Sequence, residues 1–77
     1  MKIQIISEVI KGEEIPVNER GFEEMEIDPL NDVNTFSFNK KYRYIGIGKR
    51  LFRISLKSYK QLKKYLQKTN FAFVRTV

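Results

Sequence analysis

The sequence predicts an α+β fold: a small, mainly antiparallel β-sheet built round a meander, one C-terminal amphipathic helix, and a last strand after it. Three observations predict this. Short runs rich in Ile, Val, Phe and Tyr are broken by Gly, Asn and Pro at hairpin spacing. The period of the apolar residues changes from two to 3.6 near Ser55. β-Branched and aromatic residues then return in residues 71–77. A chain of 77 residues forms one domain, residues 1–77, because domains typically run to ~100–150 residues.

The elements follow in order. Lys2 to Ile10 is rich in Ile and Val and is expected as a strand. Lys11-Gly12 follows as a tight turn, Gly being able to take positive φ. Ile15-Pro16-Val17 is a short second strand that Pro16 confines to an edge or an end. Residues 22–27, FEEMEI, alternate Met25 and Ile27 with Glu24 and Glu26 and are expected as a strand, although their Glu content also suits a short helix. Residues 28–32, DPLND, are expected as a turn.

From Val33 the meander begins. Phe36 and Phe38 alternate with Ser37, Asn39-Lys40-Lys41 turns the chain, and residues 42–47 form the next strand. That strand puts Tyr42 and Tyr44 on one face and Arg43, Ile45 and Ile47 on the other. Gly48-Lys49-Arg50 turns again, and residues 51–55 return. Ser55, or else Ser58, caps a helix. At 100° per residue Tyr59, Leu62 and Leu66 fall together, opposite Lys57, Lys60, Lys64 and Lys68. Thr69-Asn70 ends the helix before the last strand.

Composition excludes several functions. The chain has no Cys and no His, so disulfides, the usual zinc ligand sets and His-dependent nucleophile systems are absent. No EF-hand spacing or glycine-rich phosphate loop occurs, and Gly46-Ile47-Gly48-Lys49 is too short for one. Glu13-Glu14, Glu23-Glu24 and Glu26-Ile27-Asp28 could bind a hard cation or mimic nucleic acid, but a chain this small has little room for a substrate pocket. The expectation is a non-enzymatic protein without cofactor or metal. No apolar run approaches the ~20 residues of a membrane span, and no signal-peptide pattern opens the chain, so a cytoplasmic location is expected.

Charge is the strongest asymmetry. Residues 1–39 carry three basic and nine acidic side chains, a balance of −6, and residues 40–77 carry twelve basic and no acidic ones, giving the total of +6. Such a basic stretch repels itself and calls for a counterpart. The counterpart is either the acidic half of the same chain, a polyanion, or an acidic protein surface. A phosphate-tracking face would consist of Lys57, Lys60, Lys64 and Lys68, with Arg43, Lys49, Arg50 and Arg53 from the sheet and its turns. Tyr42 and Tyr44 could stack unpaired bases beside them, although core use is the simpler reading for both, as it is for Tyr59, Phe36, Phe38, Phe71 and Phe73.

The run Phe36-Ser37-Phe38-Asn39-Lys40-Lys41-Tyr42-Arg43-Tyr44-Ile45-Gly46-Ile47, with Ile54-Ser55-Leu56 entering a helix, locally resembles the coactivator family whose C-terminal domain binds single-stranded DNA. The family's longer central strands are missing, because only a short return strand separates Ile47 from Ser55. The function expected from the residues is nucleic-acid binding, to DNA or RNA, through the basic C-terminal face. The alternative is a protein-interaction module, of the size of phage-encoded inhibitors of host nucleic-acid machinery such as anti-CRISPR proteins. A homodimer pairing acidic half with basic half would also satisfy the charge split.

Overall fold

A computed structural model describes residues 1–68 and the backbone of residues 75–76. Six strands precede a C-terminal helix: β1 (Lys2–Ile10), β2 (Glu13–Pro16), β3 (Glu23–Glu26), β4 (Val33–Phe38), β5 (Arg43–Ile47) and β6 (Arg50–Ile54). A one-turn helix α1 (Pro29–Asp32) links β3 to β4, and α2 (Leu56–Lys68) follows β6. The expected last strand, residues 71–77, falls largely outside the described residues; within it the structure describes only a two-residue parallel pairing of Arg75–Thr76 with Phe36 and Ser37.

The sheet runs β2-β1-β6-β5-β4, with every one of these pairings antiparallel. Strand β1 is long enough to share one edge between two partners. Ser7 to Ile10 pair with β2, and Lys2 to Ile5 pair with β3. The β1–β2 turn holds Lys11 at φ 53° and Gly12 at φ 82°, the two positive φ values of the hairpin turn whose twist matches its strands. The meander β4–β5–β6 forms as the alternation predicts, with β6 beginning at Arg50 so that Gly48-Lys49 alone make the turn.

Strand β1 contains an irregularity. Opposite β6 the register shifts between Ile5 and Ser7, so that Ile6 is an extra residue. Because side chains alternate with a period of two, this slip reverses the faces of the strand beyond it. Ile3 and Ile5 point to the side covered by α2, and Ser7 and Val9 point to the other.

The core lies between the sheet and α2. Ile3, Ile5, Phe36, Ile45, Phe52 and Ile54 meet Leu62 and Leu66 from the helix, closed at one end by Ile27 and Val33. Leu62 and Leu66 are fully buried, and Tyr59 is half-buried with its ring edge-on to Phe36, centroids 5.8 Å apart. Ser55 caps the helix, its Oγ accepting from the Ser58 N–H at 3.1 Å. Ser58 is buried and its Oγ accepts from the Gln4 N–H at 2.7 Å, which fastens the first helical turn to β1.

Residues 28–32, expected as a turn, form the single helical turn α1 instead. Asp28 is its N-cap and Pro29 occupies the first turn, where the missing N–H costs nothing. No helix among the described residues is long and apolar enough to cross a membrane.

Gly46 is buried on β5, and a Cβ there would run into the Thr35 hydroxyl and the Asn34 carboxamide oxygen. Gly46→Ala is therefore expected to lower stability by about 1–3 kcal/mol, the usual cost of overpacking. Leu62→Ala is expected to cost about 2–5 kcal/mol as a core truncation. Both are read from chemical or thermal unfolding, and a melting temperature unchanged in either variant would contradict this packing.

Candidate functional site

The candidate basic residues divide between the two sides of the sheet and play different parts. On the outer face of α2, Lys57, Lys60, Lys64 and Lys68 are all exposed. None forms an ion pair among the described residues. The row spans about 16 Å at 1.5 Å rise per residue. Lys63 is also exposed, about 100° round the helix from the middle of the row. Lys49 stands exposed in the β5–β6 turn.

The arginines are engaged inside the fold. Arg43 is half-buried under the helix, its guanidinium carbon 5.1 Å from the Phe38 ring centroid and 5.4 Å from that of Tyr59. It also donates to the backbone carbonyls of Asn39 and Tyr42. Arg50 forms a two-pronged pair with Glu8, at 2.9 and 2.8 Å, and covers the Phe52 ring at 4.8 Å. The Glu8 carboxyl is held below its ordinary value by the Arg50 hydrogen bond, which burial only partly opposes.

On the sheet face away from α2 a four-residue network forms round Glu14. Its Oε1 accepts from the Ser7 hydroxyl at 2.8 Å and from Arg53 at 3.2 Å, and its Oε2 accepts from the Tyr44 hydroxyl at 3.0 Å. Arg53 lies flat against Tyr42, 3.6 Å from the ring centroid. Strand β2 is three places from β5 in the sheet, about 14 Å away if the sheet were flat. The Glu14–Tyr44 contact therefore requires the sheet to curl, with this face concave.

The network sets its own electrostatics. Burial pushes the Glu14 carboxyl up, but the hydrogen bonds from Ser7, Tyr44 and Arg53 outweigh it and leave the group below its ordinary 4.5. The Tyr44 phenol is raised, first by burial and then by the hydrogen bond and charge of Glu14. Two clefts flank the network. One of about 300 Å³ is lined by Val9, Gly12, Glu14, Ser37, Phe38, Asn39, Tyr44 and Leu51. The other, about 400 Å³, lies over Ile6, Ser7, Pro16, Tyr42 and Arg53.

Tyr42 and Tyr44 are thus neither core residues nor a bare stacking ladder. They share the concave face, half-buried, with one ring occupied by Arg53 and one hydroxyl by Glu14. Sequence reasoning found the lysine row, whose helical period is local. It did not find Ser7 or assign Glu14 its part, because their partners lie up to 39 positions apart in the chain. Comparison of the chain with protein-family models, with curated proteins and with solved structures finds no match.

The two engaged carboxylates give stability a definite sign with pH. Both folded values lie below the unfolded one, so the unfolded chain binds more protons in acid. Their contribution is complete above pH 4.5 and is lost as pH falls through the folded values. Unfolding free energy measured against pH is expected to drop below that point, and Glu14→Gln is expected to shrink the drop. An equal acid limb in wild type and variant would show that Glu14 is not coupled to the fold.

Proposed function

We propose that this chain is a small, non-enzymatic nucleic-acid-binding protein that holds the phosphate backbone through the outer face of α2. The observation that supports the reading is the division of charge. Two acids of the first half pair with sheet arginines, Glu8 with Arg50 and Glu14 with Arg53, while Lys57, Lys60, Lys64 and Lys68 are unpaired among the described residues. These four stand at spacings of 3, 4 and 4 on a helix with no carboxylate. Each such i,i+4 repulsion costs ~0.2–0.5 kcal/mol, and a polyanion laid along the row relieves it.

The mechanism is counterion release. Lysine ammonium groups act as mobile point charges on flexible stems, which suits backbone tracking more than base recognition. DNA and RNA both carry the required charge, so the row discriminates by backbone geometry and not by sequence.

A second reading, a protein-interaction module of the phage-inhibitor type, is favoured by one feature. Ile10 and Ile15 stand 47% and 45% exposed on the β1–β2 hairpin, beyond the part of the sheet that α2 covers. An acidic partner surface with an apolar centre would suit that hairpin together with nearby lysines.

Binding to random-sequence duplex and single-stranded DNA and RNA, by fluorescence polarisation, separates these readings. Four phosphate contacts give a slope near −0.9 per contact against log salt, a loss of about 10² in affinity between about 50 and 200 mM. Reversing Lys60 and Lys64 to Glu is expected to weaken all sequences about equally while leaving the melting temperature within a few degrees. Absence of binding at low salt by a folded wild-type protein would overturn the nucleic-acid reading.

A further inference from the structure

The cleft of about 300 Å³ on the concave face has the composition of a small-ligand site: apolar walls with a few convergent polar groups. Val9 and Leu51 are cross-strand partners on this face and form one wall. Ser37 and Tyr44, partners across β4 and β5, form the opposite side. Glu14, the partner of Val9 on β2, lines the cleft as well.

The polar groups leave specific capacity unused. A carboxylate offers about four lone-pair positions. Ser7, Arg53 and Tyr44 take three of those on Glu14, two at Oε1 and one at Oε2. The Ser37 hydroxyl lines the same cleft and makes no side-chain hydrogen bond among the described residues. The cleft thus presents an anionic acceptor at Glu14, a hydroxyl that can donate or accept at Ser37, and the Asn39 carboxamide, whose oxygen is taken by the Lys41 and Tyr42 N–H groups, between an aliphatic wall and a tyrosine.

We propose that this cleft binds a single nucleobase bearing an exocyclic amino group, with the amine donating to Glu14 Oε2, a ring acceptor facing Ser37, and the ring against Val9 and Leu51. A planar heterocycle meets the apolar wall with its face and the two polar groups with its edge. The amino group separates adenine and cytosine from hypoxanthine and uracil, whose carbonyl at that position would face the carboxylate and be repelled. The site lies on the opposite side of the sheet from α2, so it does not rest on the phosphate reading.

The ligand has two sources, a free nucleoside or an unpaired base in a strand, and one experiment distinguishes them. The full chain is titrated with adenosine and with inosine, following the amide and side-chain NMR shifts of Val9, Ser37, Tyr44 and Leu51. Adenosine is expected to move these signals saturably, and inosine to bind at least about tenfold more weakly, since a hydrogen bond to a charged acceptor is lost. Ser37→Ala, a small change at a half-buried surface position, is expected to weaken adenosine several-fold without altering the fold. Oligo-dA moving the same signals at lower concentration than adenosine assigns the site to strands; adenosine alone moving them assigns it to free nucleosides. Equal binding of adenosine and inosine, or no movement of the four residues by adenosine up to about 10 mM, overturns the proposal.

Discussion

The extra residue in β1 is the constraint on which the rest of the molecule depends. Without the shift at Ile6 the strand would carry Ser7 and Val9 on the same side as Ile3 and Ile5, beneath the helix, and would send Glu8 to the opposite face. The shift exchanges them. Glu8 then stands on the side where Arg50 and Phe52 meet it. Ser7 is buried on the concave face, opposite Pro16 and beside the Glu14 carboxylate. Bulges also increase local twist, and twist is what lets β2 curl far enough for Glu14 to reach β5. The residue that is extra opposite β6 therefore contributes to the curvature of the sheet and decides which side chains reach its open face.

The partition of positive charge follows from the difference between arginine and lysine. A guanidinium is planar, weakly hydrated and forked, so it can meet a carboxylate at two points or lie flat on a ring. Arg50 does both, against Glu8 and Phe52; Arg53 meets Glu14 at one point and lies on the Tyr42 ring. An ammonium is compact and strongly hydrated, and the lysines of α2 remain in water. The acidic first half thus does neutralise the basic second half in part, but only where arginines are held by strands. The helix is left with its charge uncompensated because no strand carries an acid across to it.

Much of the fold was legible because its signals are local. The alternation in residues 42–47 gave the faces of β5, Ser55 marked the start of α2, and the spacing of Leu62 and Leu66 identified its buried side. The β1 shift was not legible: after Ile3-Gln4-Ile5 the residues Ile6 and Ser7 break the alternation without showing which face each side chain takes. The sharing of one β1 edge by β2 and β3 was hidden for a similar reason, since pairing partners leave no periodic trace in sequence. Residues 28–32 carried turn chemistry, and Asp28 and Pro29 serve a helical turn equally well. Of the candidate site, the lysine row was visible in full, whereas the fate of Arg43, Arg50 and Arg53 depended on partners far off in the chain.

The same partners decide which chemistry remains available to a ligand. A stacking platform needs ring faces open to solvent, yet Arg53 covers a face of Tyr42, and Arg43 stands over Tyr59 on the helix side. Tyr44 is tied at its hydroxyl to Glu14 and lines the cleft. Among the described residues, continuous stacking of successive bases, the usual means of sequence-tolerant single-strand binding, therefore finds no row of free aromatics on the sheet. Among what stays exposed are the charge on α2 and, on the concave face, the two clefts beside Glu14. The helix and the clefts lie on opposite sides of a single sheet, so a backbone resting along the lysine row cannot also seat its neighbouring base in a cleft. On the proposed readings, affinity at α2 and selectivity at the cleft would be separate properties, and a substitution in one would not be transmitted to the other through a shared ligand contact.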